Sequence, residues 1–274
     1  MIRLAIRVAR AEADLVLAEL AELAPGGLEE RDVDAGTVEF ALYGAPGELP
    51  PLPDLRAAAG SALVDVSTTE LADDWDVRWR AWHPTVVVEA GGRSLCVRPT
   101  WEAPRAGSID VAIEPAQAFG TGSHETTRLS LALLLESAPA GPLADWGCGS
   151  GVLAIAAAKL GFGPVTAIDA DLAALEATER NARENGVVID AVERVNLRDD
   201  APPAADVVVA NLMRPLLLRL APRLVAAAPR VAIISGLLDA EAEEVVAAFG
   251  PALGERRRLS SRGWSTVMLE LVED

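Results

Sequence analysis

The chain has 274 residues, a length that corresponds to one or two domains of ordinary size. Hydrophobic residues make up 51% of it and aromatic residues only 4%, so the core must be largely aliphatic. The formal net charge of −17 argues against a general nucleic-acid binder, because such proteins neutralise phosphates with cationic side chains. The same charge favours a basic protein partner.

Cysteine usage and hydropathy indicate the compartment. Cys96 and Cys148 lie far apart in no metal-ligand spacing, so neither a disulfide framework nor a metal site is expected. No uncharged apolar stretch follows Arg3, Arg7 and Arg10, and no run reaches the roughly 18 apolar residues of a membrane span. We therefore expect a cytoplasmic protein with no signal peptide and no membrane contact.

The first 66 residues predict a small α+β domain. The predicted elements are a strand at 2–8, a helix at 11–24, strands around residue 33 and at 37–43, a helix at 54–60 and a strand at 62–66. This βαββαβ order is typical of the ferredoxin-like arrangement. We expect residues 1–66 to be an N-terminal substrate-recognition domain.

Residues 67–90 are predicted to connect this domain to the rest of the chain through a helix at 70–83. Trp75, Trp79 and Trp82 share one face of that helix by their spacing. Packing of this face at a domain interface is favoured over its display to a partner.

The remainder, residues 91–274, predicts an α/β domain. Strands are predicted at 94–98, 109–113, 142–146, 165–169, 206–210 and 230–235, helices at 151–160, 171–185, 213–227 and 239–248, and a closing hairpin at 255–273. A further strand, at 85–89, is predicted at the end of the connecting residues 67–90. Alternation of strands and helices indicates a doubly wound parallel sheet with helices on both faces, here of seven strands.

A glycine motif, Asp145-Trp-Gly-Cys-Gly-Ser-Gly151, follows one predicted strand and opens a helix. Its glycines permit a tight turn in contact with a ligand, and the helix N-terminus favours an anionic group. The pattern is GxGxG, and Val152 stands where a dinucleotide fingerprint has its last glycine, which weakens that interpretation. A merely structural turn is the other alternative.

Asp169 ends the next strand, 22 residues after Gly147, where a carboxylate accepts hydrogen bonds from ribose hydroxyls. Asp171 is its rival for that role, although it also stands where a helix N-cap is expected. Asn211 ends the strand at 206–210 and offers both an amide donor and a carbonyl acceptor, unless it only caps the following helix.

The segment 118–127, AFGTGSHETT, precedes another helix. Its glycines, Gly120 and Gly122, predict a loop that closes over a ligand, or alternatively a rigid loop in which glycine relieves crowding. His124 is a candidate acid or base, although a histidine in such a place more often bonds the backbone.

These segments resemble the PrmA family, the methyltransferases of ribosomal protein L11. The resemblance covers about residues 70–270 and rests on AFGTGSHETT, DWGCGSGVLAIAA, AIDAD, VVANL and ISGLL, in that order. It implies a Rossmann-like, class I methyltransferase that uses S-adenosyl-L-methionine. The cofactor contacts that it implies are Thr127, Gly147, Asp169 and Asn211.

The resemblance further implies transfer of methyl groups to amino groups, lysine or N-terminal, of ribosomal protein L11. We expect a monomer without direct nucleic-acid binding. The sulfonium makes the methyl group electrophilic, so alignment is the main requirement and no catalytic base is assigned. Asn211 and His124 are candidates for orienting the amine. The alternatives are a methyltransferase of another protein or small amine, and a non-catalytic module that binds the cofactor. A nicotinamide oxidoreductase lacks its third glycine here.

Overall fold

The computed structural model describes residues 2–13, 16–17, 20, 29–34, 36–44, 49–70, 83–114, 122–139 and 141–272. The chain divides into two compact units, Met1–Trp82 and His83–Asp274. The predicted helix at 70–83 and its tryptophans lie almost entirely outside the described residues. Within the described ranges, no helix is long and apolar enough to cross a membrane.

The first unit contains a four-stranded antiparallel sheet in the order β2-β3-β1-β4. Its elements are β1 (Ile2–Ala9), β2 (Glu29–Asp34), β3 (Thr37–Gly44), α1 (Leu52–Ala59) and β4 (Leu63–Glu70). Of the helix predicted at 11–24, residues 11–13, 16, 17 and 20 are described: residues 11 and 12 belong to a 3-10 helix, Arg10–Glu12, and the other four are α-helical. The order and pairing agree with the ferredoxin-like prediction.

Alternation along β1 explains the core of this unit. Leu4, Ile6 and Val8 point to one face of the sheet and are buried with Phe40 and Leu55. The domain boundary expected at residue 66 needs correction, because β4 continues to pair with β1 as far as Glu70 opposite Ile2. The expected linker 67–90 therefore begins in β4 and ends in the next described strand, β5 (Val86–Ala90).

The second unit contains a seven-stranded sheet in the order β10-β9-β8-β11-β12-β14-β13. Its strands are β8 (Leu143–Trp146), β9 (Val165–Asp169), β10 (Ala191–Arg194), β11 (Val207–Asn211), β12 (Val231–Leu238), β13 (Leu253–Ser261) and β14 (Trp264–Leu271). Strands β8 to β12 are parallel, and β14 joins β12 antiparallel. This is the doubly wound sheet with a closing hairpin that the sequence predicted.

The described residues of this unit form five α-helices. They are α2 (Glu125–Glu136), α3 (Val152–Leu160), α4 (Leu172–Glu184), α5 (Arg214–Ala227) and α6 (Ala242–Ala248). Residues of α2, α3 and α4 share one buried cluster with one face of the sheet, and residues of α5 and α6 share a second cluster with the opposite face. The sheet is therefore covered on both sides, as a parallel sheet requires.

A separate three-stranded sheet stands beside α4. It contains β5 (Val86–Ala90), β6 (Arg93–Pro99) and β7 (Ile109–Ile113) in that order. The edge strand β7 is held by Asn185, the C-cap residue of α4, whose amide accepts from Ala112 N–H at 2.9 Å and donates to Ala112 O at 2.6 Å. The side-chain amide thus pairs with the strand edge as a neighbouring peptide would.

Candidate active site

A cavity of about 480 Å³ opens at the carboxyl ends of the parallel strands. In the sheet β9 and β11 flank β8 on its two sides, and the cavity lies at this topological switch point. All four residues that the sequence singled out line it: Thr127, Gly147, Asp169 and Asn211. Four separate segments of the chain therefore converge on one cavity.

Steric and backbone demands explain the glycines of the turn after β8. Gly147 has a φ of 80°, and a Cβ there would lie 2.5 Å from Leu212 Cδ2. Gly151, also at a φ of 80°, would bring a Cβ within 3.0 Å of the Cα of Thr178. At Gly147 the positive φ is the main obstacle to a side chain, because the Leu212 side chain could shift, whereas at Gly151 a side chain would also meet the backbone of Thr178.

The carboxylate of Asp169 is held from two directions. Its Oδ2 accepts from Gly149 N–H and its Oδ1 from Asp171 N–H, each at 3.0 Å. Each oxygen retains a lone pair for a further donor. Asp171 instead caps α4, accepting from Ala173 N–H at 2.9 Å, so its role is the N-cap that the sequence offered as the alternative.

Asn211 at the end of β11 contacts Thr127 near the start of α2. Its Nδ2 donates to Thr127 Oγ1 at 3.4 Å. Residue 213 is the N-cap of α5, without a side-chain capping bond, so the capping interpretation of Asn211 is wrong.

The residue after Asn211 is held tightly between two strands. Leu212 N–H donates to Ser235 O of β12 at 3.1 Å. A Cβ at Gly236 would lie only 2.3 Å from Leu212 O, which explains the glycine in the ISGLL segment. Leu212 thereby packs over Gly147 and forms part of the cavity wall.

His124 is not among the cavity-lining residues; it caps α2. Its Nδ1 accepts from Thr126 N–H at 3.3 Å, and its ring stands edge-on to Trp264 at 4.8 Å between centroids. Gly122 has a φ of 87°, and a Cβ there would lie 2.7 Å from Val97 Cγ1. Relief of crowding therefore accounts for this glycine, whereas Gly120 and the rest of 118–121 lie outside the described residues.

Two titratable groups near the turn have strongly altered pKa values. Burial raises the pKa of the Cys148 thiol to about 12, which keeps it protonated and rules it out as a thiolate nucleophile at neutral pH. Burial also raises the pKa of Asp145 to about 7, although Ala154 N–H donates to its Oδ2 at 3.1 Å. Cys148 is therefore not a thiolate nucleophile at neutral pH, and Asp145 is a weaker acid than an ordinary aspartic acid.

Sequence reasoning missed one wall of the cavity. Residues 195–198, which follow β10, line it beside Asp169. Asn196 stabilises this loop by accepting from Arg198 N–H at 3.2 Å and donating to Asp199 Oδ2 at 2.7 Å. Strand β10 has only four residues, all exposed or half-buried, so no hydrophobic pattern in the sequence predicts this strand.

Comparison with known proteins gives consistent results. Residues 54–271 match the sequence model of the family described as ribosomal protein L11 methyltransferase (PrmA). A ribosomal protein L11 methyltransferase of Bordetella parapertussis is 35% identical, and the alignment covers 96% of this chain and 97% of that protein. One of Syntrophotalea carbinolica is 36% identical and covers 89% of both chains.

A solved structure shares the architecture. The crystal structure of a ribosomal protein L11 methylase from Lactobacillus delbrueckii subsp. bulgaricus superposes with a TM-score of 0.61 at 27% identity. The match covers 68% of this chain and 99% of that one.

Proposed function

The chain belongs to the ribosomal protein L11 methyltransferase (PrmA) family, and from that premise we propose that it transfers methyl groups from S-adenosyl-L-methionine to amino groups of ribosomal protein L11. The acceptors are lysine side chains, the N-terminus or both. The observation that carries the proposal is the convergence of Thr127, Gly147, Asp169 and Asn211 on one cavity.

The cavity fits this cofactor. Its volume lies within the roughly 300–1,000 Å³ of small-molecule sites. Asp169 presents two oriented carboxylate oxygens that suit a pair of ribose hydroxyls. Gly147 offers a main chain without a side chain, and Thr127 with Asn211 offers polar groups on the opposite wall.

The chain's contribution to the reaction is alignment. The cofactor supplies a methyl group on a positively charged sulfur, which is already electrophilic. The acceptor amine must be neutral to attack, and removal of water from a closed site lowers an amine pKa from its reference of about 10.4 without a dedicated base. Because Asn211 Nδ2 donates to Thr127, Asn211 Oδ1 is the atom that accepts an amine N–H and orients the nitrogen.

Charge supports a basic protein as the acceptor. Residues 1–66 contain 12 aspartates and glutamates but only 5 arginines, so this segment carries a formal net charge of −7. An acidic surface attracts a basic partner and speeds its association at low salt. We assign substrate recognition to the first unit and cofactor binding to the second.

The test is a transfer assay with the full chain, labelled cofactor and unmethylated L11. We expect label in L11 and added methyl groups on amines by mass spectrometry of its peptides. Transfer to other proteins but not to L11 would favour the alternative substrate. If calorimetry shows that the cofactor binds, but no methyl group is transferred to L11 or to any protein of a ribosomal extract, a non-catalytic module would be favoured.

A further inference from the structure

Helix α4 turns a buried polar face toward the glycine turn. Thr178 and Asn181 lie on this face three residues apart, and Asn185, the half-buried C-cap residue of the helix, follows four residues later. Asn181 is fully buried and lies outside the set of cavity-lining residues. A buried amide is costly unless its donors and acceptor are paired, so its partners reveal what the position demands.

Asn181 joins two parts of the chain that are distant in sequence. Its Nδ2 donates to Ser150 O in the glycine turn at 2.8 Å, and its Oδ1 accepts from Glu114 N–H at 3.1 Å. Only this amide orientation satisfies both bonds. Glu114 directly follows β7 and precedes the segment that leads to AFGTG.

The bond to Ser150 O fixes the shape of the turn. In a trans peptide the N–H and the C=O point in opposite directions. Gly151 N–H, which shares its peptide group with Ser150 O, donates to Cys148 O at 2.8 Å, so the two bonds hold this peptide group from both sides. Thr178 Oγ1 donates in parallel to Gly149 O at 3.1 Å. Two consecutive carbonyls of the turn are thus held on the α4 side.

Asn185 provides an internal comparison. It is the C-cap residue of α4, and among the described residues its side chain bonds Ala112 of β7 and Asn181 O. It therefore attaches the same helix to the same strand without touching the glycine turn.

We propose that Asn181 is a positioning residue for the cofactor site, since it fixes the glycine turn against the end of β7 and so determines cofactor affinity without touching the ligand. The identity of the ligand rests on the proposed function. The residues it acts through are Ser150 and Glu114, by their main-chain atoms.

The experiment compares Asn181→Ala with Asn185→Ala in the full chain. Asn181 lies inside α4 and Asn185 is its C-cap residue, and each change removes side-chain hydrogen bonds to β7 or to Glu114, which directly follows it. Calorimetry with S-adenosylmethionine should give a Kd raised about five- to tenfold for Asn181→Ala, the loss of a neutral hydrogen bond, and an unchanged Kd for Asn185→Ala. Both variants should lose thermal stability, and KM for the cofactor should rise without a change in kcat only for Asn181→Ala.

Asn181→Asp serves if the alanine variant does not fold, because its ionised carboxylate retains the acceptor for Glu114 N–H and has no donor for Ser150 O. Burial raises the pKa of a carboxyl, so the Kd of this variant is measured at a pH high enough to ionise it. A raised Kd in that variant supports the proposal. Equal Kd values for the wild type and the Asn181 variants would reduce Asn181 to a structural residue and overturn it. If the wild type binds the cofactor but does not methylate L11, only the proposed function is contradicted. The role of Asn181 is still tested, because the comparison of Kd values does not require turnover.

Discussion

Asn211 donates a hydrogen bond to the hydroxyl of Thr127 at 3.4 Å, although 84 residues separate the two in sequence. Asn211 ends β11 and Thr127 lies in the first turn of α2, so this bond joins a strand end to a helix start in the cavity wall. Thr127 is 1% exposed, so its hydroxyl is largely shielded from solvent where it lines the cavity.

This pair should behave as one element in cofactor binding. Thr127→Ala and Asn211→Ala should each weaken binding by about 0.5–1.5 kcal/mol, the net value of a neutral hydrogen bond. Because each change already disrupts the shared bond, the double variant should cost at least about 0.5 kcal/mol less than the sum. Calorimetry on the four proteins measures this, with Thr127→Ser as the control that keeps the hydroxyl. Strict additivity would show that the two side chains act separately.

Asp169 and Asp171 permit a sharper comparison, because both accept main-chain bonds within the same short segment. Asp169→Ala should weaken cofactor binding by about 1.5–3 kcal/mol, as expected for hydrogen bonds to a charged group. Asp171→Ala should leave the Kd unchanged and lower the unfolding free energy by about 0.5–2 kcal/mol through loss of the N-cap. Calorimetry and urea unfolding separate the two effects. A Kd unchanged by Asp169→Ala would remove the ribose assignment.

The sequence predicted those parts of the site that depend on local pattern. Asp169 and Asn211 were found because each ends a strand of strongly apolar residues, and parallel strands bring such ends to one edge. The loop at 195–198 was missed because β10 is short and polar, so nothing local marks the strand before it.

Other features arise only from tertiary contacts. Asn181 reads as an ordinary polar residue of a surface helix until Ser150 and Glu114 are brought to it. The fourth strand of the first unit was drawn too short, because its last residues are exposed and owe their conformation to pairing with β1.

Separation of the two units is testable by truncation. A chain that begins at His83 contains every residue lining the cavity, so it should bind S-adenosylmethionine with the affinity of the full chain. It should lose transfer to intact L11, because the proposed recognition unit is gone. Calorimetry and the transfer assay are run on both chains. Full activity of the shortened chain on L11 would contradict the proposed division of roles.

Ala228 marks a site where the chain can be stabilised. It ends α5 in a left-handed conformation with a φ of 47°, which costs an L-residue about 1–2 kcal/mol and glycine almost nothing. After the larger entropy of an unfolded glycine is subtracted, Ala228→Gly should stabilise the protein by about 0.5–1 kcal/mol. Ala226→Gly, at an exposed position inside the same helix, should destabilise it by a similar amount. Thermal unfolding that lowers Tm for both variants would refute the prediction.

Asp145 should make stability depend on pH. Its carboxyl is completely buried in β8, and burial raises its pKa to about 7, with a smaller increase from the charge of Asp169. In the unfolded chain the pKa returns to about 3.9, so between these values the folded state holds a proton that the unfolded state has lost. Stability from this group is therefore complete below about pH 4 and is lost as pH rises to about 7.

Asp145→Asn isolates the effect, because the amide keeps the shape and the acceptor for Ala154 N–H but does not titrate. Any cost of burying the amide is the same at every pH. The informative quantity is therefore how the difference in unfolding free energy between the two proteins changes with pH. The variant should gain about 2–3 kcal/mol relative to the wild type between pH 5 and pH 8, measured by urea unfolding at each pH. Parallel stability curves for the wild type and Asp145→Asn would mean that the carboxyl remains ionised in the folded protein, held by the N-terminus of α3.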